Sequence, residues 1–253
     1  MSMRMRVLVA LAVIFSPSSA FAEGLSPRIR SNPHRFDSPQ HFAMEFRMGP
    51  YRPDVDGEPG LTSKPYNTVF GESKSLYIGG EFDWQAVRIP YVGTLGPGFS
   101  IGYMSNTTTA PFKTARTDGA ASSSTTSLEV IPIHAIGVFR ADVLWRDLQI
   151  PFVPYAKGGF AMARWRASGD NGTDGYNGVP SKGTVYGYHV AGGLMLSLNW
   201  IEPHTARNFD QTLGVNGTYL FFEVYTTSLT SSFKDQPLYA GTTSWTAGLA
   251  FEF

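Results

Sequence analysis

Apolar and polar side chains alternate along the last nine residues of the chain. Residues 245–253 place Trp, Ala, Leu, Phe and Phe at every second position, with Thr, Gly, Ala and Glu between them. A period of two predicts a β-strand, because successive side chains point to opposite faces of a sheet. This strand would have one continuous apolar face and one small or polar face, which suits a wall between lipid and a packed or watery interior.

The same alternation recurs in five more segments, and two others are strand-like without a clear phase. The alternating segments are residues 42–48, 76–84, 99–103, 186–200 and 220–225, and the ambiguous ones run from about 126 to 140 and about 153 to 166. Pro132 interrupts the first ambiguous segment, so a bulge or a different face assignment is open there, and the face of Lys157 is open as well. The pattern predicts about eight strands, each near or above the roughly 9–11 residues that a tilted strand needs to cross a membrane.

The connections between these strands are of two alternating kinds. Long polar connections at residues 49–74, 106–125, 169–175 and 230–239 alternate with shorter or more ordered ones at 87–96, 146–151 and 201–215, the last with a helical turn within 205–213. Long flexible loops outside and short turns inside are typical of outer-membrane barrels. An even number of strands would return the C-terminus to the periplasmic side, where the chain begins its first strand.

The N-terminus predicts export. Arg4 and Arg6 precede an apolar run at residues 7–15, and the small residues Ala20 and Ala22 fit a cleavage site after position 22. We expect a signal peptide over residues 1–22, a periplasmic leader over 23–40 and the barrel over 41–253. The sequence has no cysteine, so disulfides cannot hold an exported chain together.

Composition excludes other classes of protein. The chain is 42% hydrophobic and rich in aromatic residues, with 18 Phe, 12 Tyr and 5 Trp, but it has no apolar run long enough for a membrane-spanning helix. Of 20 basic and 20 acidic residues, removal of the two signal arginines leaves 20 − 2 = 18 basic ones. A nearly neutral mature chain gives no reason to expect a nucleic-acid partner.

Several charged residues fall on the polar face of the predicted strands. In a bilayer every backbone polar group must be paired, so the strands are expected to close into a barrel with this face inside. The inward candidates are Glu45, Arg47, Glu81, Asp83, His189, Glu223 and Glu252, and Arg140 and Lys157 join them if their strands keep the same phase. We expect a charge-paired, hydrogen-bonded interior, with a narrow ion path or a ligand cup as the functional alternative.

The sequence matches known catalytic motifs only weakly. Residues 98–102 match G-x-S-x-G, but they lie within an alternating strand and no helix follows, as a nucleophile elbow requires. A lipid-modifying enzyme would need His134 or His189 beside Ser100 and a carboxylate. No zinc spacing, phosphate-binding loop or dinucleotide fingerprint is present, so we expect no catalytic residue, metal or cofactor.

Two resemblances add to this interpretation. A terminal strand closing on Phe253 resembles the C-terminal signal of bacterial outer-membrane barrels, which implies that Trp245, Leu249, Phe251 and Phe253 are read by the barrel assembly machinery. The segments FRMGPYRPDVD at 46–56, RIPYVGT at 88–94, VPYAK at 153–157 and YLFFE at 219–223 resemble an outer-membrane β-barrel family of myxobacteria and their relatives. That family has no assigned activity, so it implies fold and location and no catalytic residues.

The sequence therefore predicts an all-β protein, a closed antiparallel up-and-down transmembrane barrel in the bacterial outer membrane. It would contact outer-membrane lipid, have a packed polar interior and serve a structural or surface-interaction role through extracellular loops, with the extracellular ligand unknown. The alternatives are a small pore or uptake channel, a lipid-modifying enzyme, and a soluble barrel with an apolar interior in which the aromatics of residues 245–253 are buried.

Overall fold

The computed structural model describes residues 41–109, 125–169, 181–200, 214–231 and 238–253. The expected signal peptide, the leader and the helical turn within 205–213 lie outside the described residues. The strands are β1 Phe42–Tyr51, β2 Ser75–Trp84, β3 Val87–Ile89, β4 Gly93–Thr109, β5 Thr125–Arg140, β6 Phe152–Ser168, β7 Lys182–Ser197, β8 Gly217–Ser231 and β9 Thr242–Glu252. Helices α1 Pro65–Phe70 and α2 Val143–Arg146 and the 3-10 turns Val55–Gly57 and Leu198–Trp200 connect them. None of the described helices is long and apolar enough to cross a membrane.

Eight of these strands close into a ring. Each pairs antiparallel with its neighbours, β2 pairs directly with β4, and the short β3 pairs with β4 alone. The ring closes where β1 pairs with β9, from Ala43 opposite Glu252 to Met48 opposite Ala247. No sheet edge is left open to lipid along this seam, which a membrane requires. The prediction of a closed up-and-down barrel of about eight strands is confirmed.

The two faces of the barrel wall differ sharply in polarity. On the last strand, Trp245 and Leu249 are 45% and 42% exposed, whereas the intervening Ala250 is 1% exposed. The large apolar side chains of the other strands face outward in the same way, among them Phe46, Met48, Leu76, Ile78, Phe82, Phe99, Phe160, Val190, Leu220 and Phe222. An apolar exterior around a charged interior is the polarity of an outer-membrane β-barrel. It is the reverse of the soluble alternative, which required the terminal aromatics to be buried.

The two segments of uncertain phase are regular strands. β5 pairs with β6 without a break through Pro132, which lies opposite Ala163 and is buried on the inner face. His134 and Arg140 share that inner face, and Lys157 lies on the inner face of β6. The register between β5 and β4 skips Pro132, between Ile101 opposite Ile133 and Met104 opposite Val130, and resumes unshifted, so the proline interrupts that pairing without a bulge.

Several predicted boundaries were wrong, and the connection predicted to begin at residue 106 begins only after β4 ends at Thr109. Alternation suggested a strand up to residue 200, but β7 ends at Ser197 and a 3-10 turn follows. The predicted connection at 87–96 contains β3 and the start of β4. The predicted flexible loop at 49–74 is folded, because the buried side chains of Val55 and Tyr66 anchor it against the top of the barrel, with α1 in between. Its polar composition concealed these two anchors.

Inward glycines make room for tyrosine rings. A Cβ atom on Gly102 would lie 2.1 Å from Cε2 of Tyr77, and one on Gly193 would lie 2.6 Å from Cζ of Tyr155. An eight-stranded barrel has an interior just wide enough for side chains to fill. The rings of Tyr77 and Tyr155 therefore occupy space that a side chain at Gly102 or Gly193 of the neighbouring strand would fill.

Candidate functional site

Charged side chains fill the middle of the barrel, and we call them the central layer. They are Glu45, Arg47, Glu81, Asp83, Arg140, Lys157 and Glu223, all buried, and they come from strands β1, β2, β5, β6 and β8. Period-two alternation positions them, since Glu45 and Arg47 on β1 point inward one above the other and Glu45 lies opposite Glu81 of β2.

Lys157 holds the two sides of the barrel together. Its Nζ donates to Glu45 Oε2 at 2.7 Å and to Glu81 Oε1, and it lies 3.3 Å from Glu223 Oε2. In the ring order, β6 and β1 are four strands apart in either direction, so the contact between Lys157 and Glu45 crosses the whole bore.

The two arginines complete the central layer. Arg47 Nη2 lies 2.5 Å from Glu45 Oε2 and 2.7 Å from Glu81 Oε2, and its Nη1 donates to Glu223 Oε1 at 3.1 Å. Arg140 Nη2 donates to Glu45 Oε1 at 2.8 Å and to Asp83. Buried charges are tolerated only when they are paired in this way, because removing an ion from water costs several kcal/mol.

Three of the central carboxylates have the spacing of a metal site. Ligand oxygens of Glu45, Glu81 and Asp83 lie within 4.8 Å of one another, a group found once among the described residues. Each of these carboxylates already contacts at least one of Lys157, Arg47 and Arg140. These side chains supply the positive charge that a metal ion would bring. The arrangement is that of a structural ion network.

A pair of histidines lies next to the central layer. The rings of His134 and His189 stack with their centroids 4.3 Å apart, and their Nδ1 atoms lie 2.8 Å from Ser100 Oγ and 2.7 Å from Thr227 Oγ1. They line a cavity of about 10 Å³, roughly the space of one water molecule, together with Tyr225. The Nε2 atoms of both histidines have no hydrogen-bond partner among the described residues.

This geometry brings together two of the three residues considered for a hydrolase. Ser100 and His134 are in contact, but Ser100 is only 1% exposed and lies inside the barrel wall. Within the described part of the chain no carboxylate hydrogen-bonds to His134 or to His189. A triad needs a third group to orient the base and a path for substrate to the serine.

An apolar layer covers these histidines at the end of the barrel where β1 ends. Its buried members include Tyr51, Tyr77, Met104, Leu128, Val130, Val185 and Leu229. Val55 and Tyr66, from the folded loop of residues 52–74, lie on top of this layer and belong to the same cluster. We call this loop the lid, because its side chains complete the apolar layer at the mouth of the barrel.

Specific hydrogen bonds hold the lid in place. The backbone N–H of Asp54 donates to the carbonyl of Gly241 at 2.8 Å, which ties the lid to the start of β9. The Asp56 carboxylate accepts the N–H groups of Tyr66 and Asn67 at 2.8 and 3.1 Å, so it caps α1 from a distance. Asn106 of β4 donates to the Tyr66 hydroxyl at 2.9 Å. Burial raises the pKa of the Tyr66 phenol, which keeps it neutral.

A second apolar layer lies at the opposite end of the barrel, where β9 ends. Val153, Tyr155, Met195, Tyr219, Phe221 and Ala250 form it. Glu252 lies at its edge and accepts hydrogen bonds from Gln85 Nε2 and from the Tyr219 hydroxyl, each at 2.8 Å. Sequence reasoning named Glu252 but missed the inward tyrosines, which the period of two along 219–225 would have indicated.

The structure thus locates every residue that the sequence singled out for the barrel interior and for the terminal strand. Glu45, Arg47, Glu81, Asp83 and Glu223 meet in one network, while His189 and Glu252 lie on either side of it. The residues of the terminal strand lie elsewhere, since Trp245 and Leu249 face outward and Phe251 and Phe253 are partly exposed. The carbonyl of Phe253 accepts the backbone N–H of His41, next to the ring-closing seam.

Comparisons with known proteins give fold neighbours only. No protein-family model matches the chain, and no curated protein sequence matches it. Neisserial surface protein A is 12% identical, with a TM-score of 0.47 over 85% of this chain and 98% of that one. The outer membrane protein OprG from Pseudomonas aeruginosa is 10% identical, with a TM-score of 0.46 over 86% and 97%. Ail, the attachment invasion locus protein of Yersinia pestis, in complex with the heparin analogue sucrose octasulfate, is 10% identical, with a TM-score of 0.42 over 85% and 97%. At these identities the similarity concerns the class of barrel, which the strand pairing of this chain already defines.

Proposed function

We propose that the protein is an integral outer-membrane barrel with a closed interior, which serves a structural or surface-interaction role through its extracellular face. The contact between Lys157 and Glu45 across the bore carries this proposal. Under it the protein is not an enzyme, its ligand binds outside the membrane, and its transmembrane wall contacts outer-membrane lipid. The affiliation with the myxobacterial-type family is part of the same proposal.

Three successive barriers argue against a pore. An ion entering from outside would first meet the lid and the apolar layer beneath it, then the ion pairs of the central layer, and then the periplasmic apolar layer. Passage through the central layer would separate Lys157 from carboxylates whose side chains are 0% exposed. Breaking such a buried pair costs several kcal/mol, because the charges left behind are not solvated.

Export and assembly complete the proposal. Residues 1–22 would direct the chain across the inner membrane, and the barrel assembly machinery would recognise Trp245, Leu249, Phe251 and Phe253. The outward position of Trp245 and Leu249 supports this, since side chains on that face are accessible to a partner before the wall meets lipid.

Conductance in planar bilayers tests the closed interior. The refolded barrel should give no unitary current steps, and neither should the Asp56→Ala variant, because loosening the lid leaves the central layer intact. A porin reconstituted in the same way supplies the positive control. Regular current steps from the wild-type barrel would establish the pore alternative and refute the proposal.

Lipid analysis tests the remaining enzymatic alternative. Cells or vesicles that carry the wild-type barrel should have the same lipid composition as those that carry the Ser100→Ala variant. Loss of a lipid product in the variant, with the barrel still folded, would show that the contact between Ser100 and His134 is catalytic.

A further inference from the structure

Three exposed cations project outward from two neighbouring strands. Arg164 and Arg166 continue the outward face of β6, and Lys182 lies directly opposite Arg166 at the start of β7. All three side chains are exposed, and none of them forms an ion pair with another described residue. We call them the basic cluster.

The basic cluster begins where the apolar wall ends. The outward positions of β6 from Phe152 to Met162 carry no charge, and Arg164 is the next one. Ten residues at about 3.3 Å each, tilted by about 40°, span roughly 25 Å along the barrel axis, the height of the apolar band of an outer-membrane barrel. Because β6 starts on the side of the chain termini, Arg164 emerges at the extracellular surface of the membrane.

The basic cluster is confined to one side of the barrel. On β8 the outward side chains Thr226 and Ser228, which lie opposite Val190 and Tyr188 of β7, are neutral, and on β4 the outward Ser105 lies opposite Glu129 of β5. Among the described residues, the outward positions of the other long strands carry no lysine or arginine. One acidic residue, Glu129 of β5, lies opposite Arg166 and accepts a hydrogen bond from the Tyr103 hydroxyl at 3.1 Å.

We infer that the basic cluster binds the phosphate of a phosphorylated lipid headgroup in the outer leaflet. Arginine matches phosphate oxygens with two parallel N–H donors, and lysine adds a point charge. Exposed rings of Phe160 and Tyr188 lie lower on the same two strands, where an acyl chain of the same lipid would descend. A lipid fits this combination better than a soluble anion, which would gain nothing from the apolar surface below. The inference rests on the proposed membrane location.

Binding of purified lipid A with two phosphates, measured on the reconstituted barrel in neutral phospholipid, tests this inference. Each cation near a charged lipid surface contributes about fivefold in affinity, so the triple variant Arg164→Gln, Arg166→Gln and Lys182→Gln should bind about 100-fold more weakly. The control variant Lys64→Gln with Lys74→Gln removes exposed lid charges away from the wall and should change binding by less than about threefold.

Two further ligands show whether the basic cluster prefers the phosphate of a lipid or a soluble phosphate. Lipid A without phosphates should bind wild type and triple variant equally weakly, and millimolar inorganic pyrophosphate should not compete. Competition by pyrophosphate would identify a soluble anion and overturn the lipid assignment, as would equal binding of phosphorylated lipid A by wild type and triple variant.

Heat-modifiable gel mobility of the same samples distinguishes a failure of the lipid site from a failure of the proposed membrane location. If the barrels insert and the cluster has no effect, only the lipid site is wrong. If wild-type protein fails to insert into vesicles, the membrane location itself is wrong.

Discussion

Replacing Lys157 by Met removes a charge that reaches across the bore while keeping most of the side-chain volume. In the central layer, the four carboxylates of Glu45, Glu81, Asp83 and Glu223 face the three cations Arg47, Arg140 and Lys157. The substitution leaves four carboxylates to two cations, and Glu45, Glu81 and Glu223 each lose a contact while fully buried. Removing one partner of a buried ion pair costs about 3–5 kcal/mol. We expect the free energy of unfolding to fall by that amount.

Urea unfolding of the barrel in lipid vesicles, followed by tryptophan fluorescence and gel mobility, measures this loss. Lys74→Met removes an exposed lysine and should change the free energy of unfolding by less than about 0.5 kcal/mol. Adding Glu81→Gln to Lys157→Met restores the balance of charge and should recover at least half of the loss. A cost below about 1 kcal/mol for Lys157→Met, or a double variant less stable than the single one, would refute the idea that these ion pairs hold the barrel together.

Three further predictions address other parts of the barrel. Gly102→Ala should lower the free energy of unfolding by about 1–3 kcal/mol, because its Cβ atom would lie 2.1 Å from the Tyr77 ring. Gly80→Ala should be nearly neutral, because its Cβ atom would lie 3.7 Å from its nearest neighbour. Urea unfolding compares the two variants, and equal losses would contradict the packing argument. Phe253→Ser should reduce the amount of heat-modifiable barrel in cells more than any substitution in the exposed loops, and unchanged insertion would rule out an assembly role. Asp56→Ala should speed hydrogen exchange and proteolysis within the lid and leave the strands unaffected, because removing this cap destabilises α1 by about 1 kcal/mol. A lid as well protected as in the wild type would show that the Asp56 carboxylate does not hold α1.

The number of strands in the ring, and the faces of six of them, were predictable because a wall between lipid and a charged interior imposes a strict period of two. Glu45, Glu81 and Glu223 each fall between apolar neighbours on their strands, so their inward direction could be inferred one segment at a time. This inference needs no knowledge of which strands lie together.

Partners within the interior were not predictable in this way. Lys157 and Glu45 are 112 residues apart and meet only because closing the ring sets β6 opposite β1. The stacked histidines also depend on this closure, since His134 and His189 come from strands that do not pair with each other. Alternation gives the direction of a side chain, whereas its neighbours depend on the stagger of all eight strands.

The lid escaped prediction for a more local reason. Its residues are mostly polar, with Pro, Gly and charged groups, and this composition is typical of a flexible loop. Val55, Tyr66 and Asp56 hold the lid in its folded form, and three isolated contacts of this kind produce no periodic pattern in the sequence. Val55 becomes informative only once the apolar layer beneath it is known.

The central claim is that one face of the terminal strand lies in lipid and the other in a packed interior, and two single-cysteine variants test it directly. The chain has no native cysteine, so Leu249→Cys and Ala250→Cys introduce unique thiols at adjacent positions, 42% and 1% exposed in the parent side chains. In vesicles, a fluorescent label on residue 249 should be quenched by brominated lipid chains, and the thiol at residue 250 should resist a membrane-permeant maleimide until the barrel is unfolded. Reaction of the residue 249 thiol with a membrane-impermeant maleimide, together with no quenching by brominated lipid, would contradict the account.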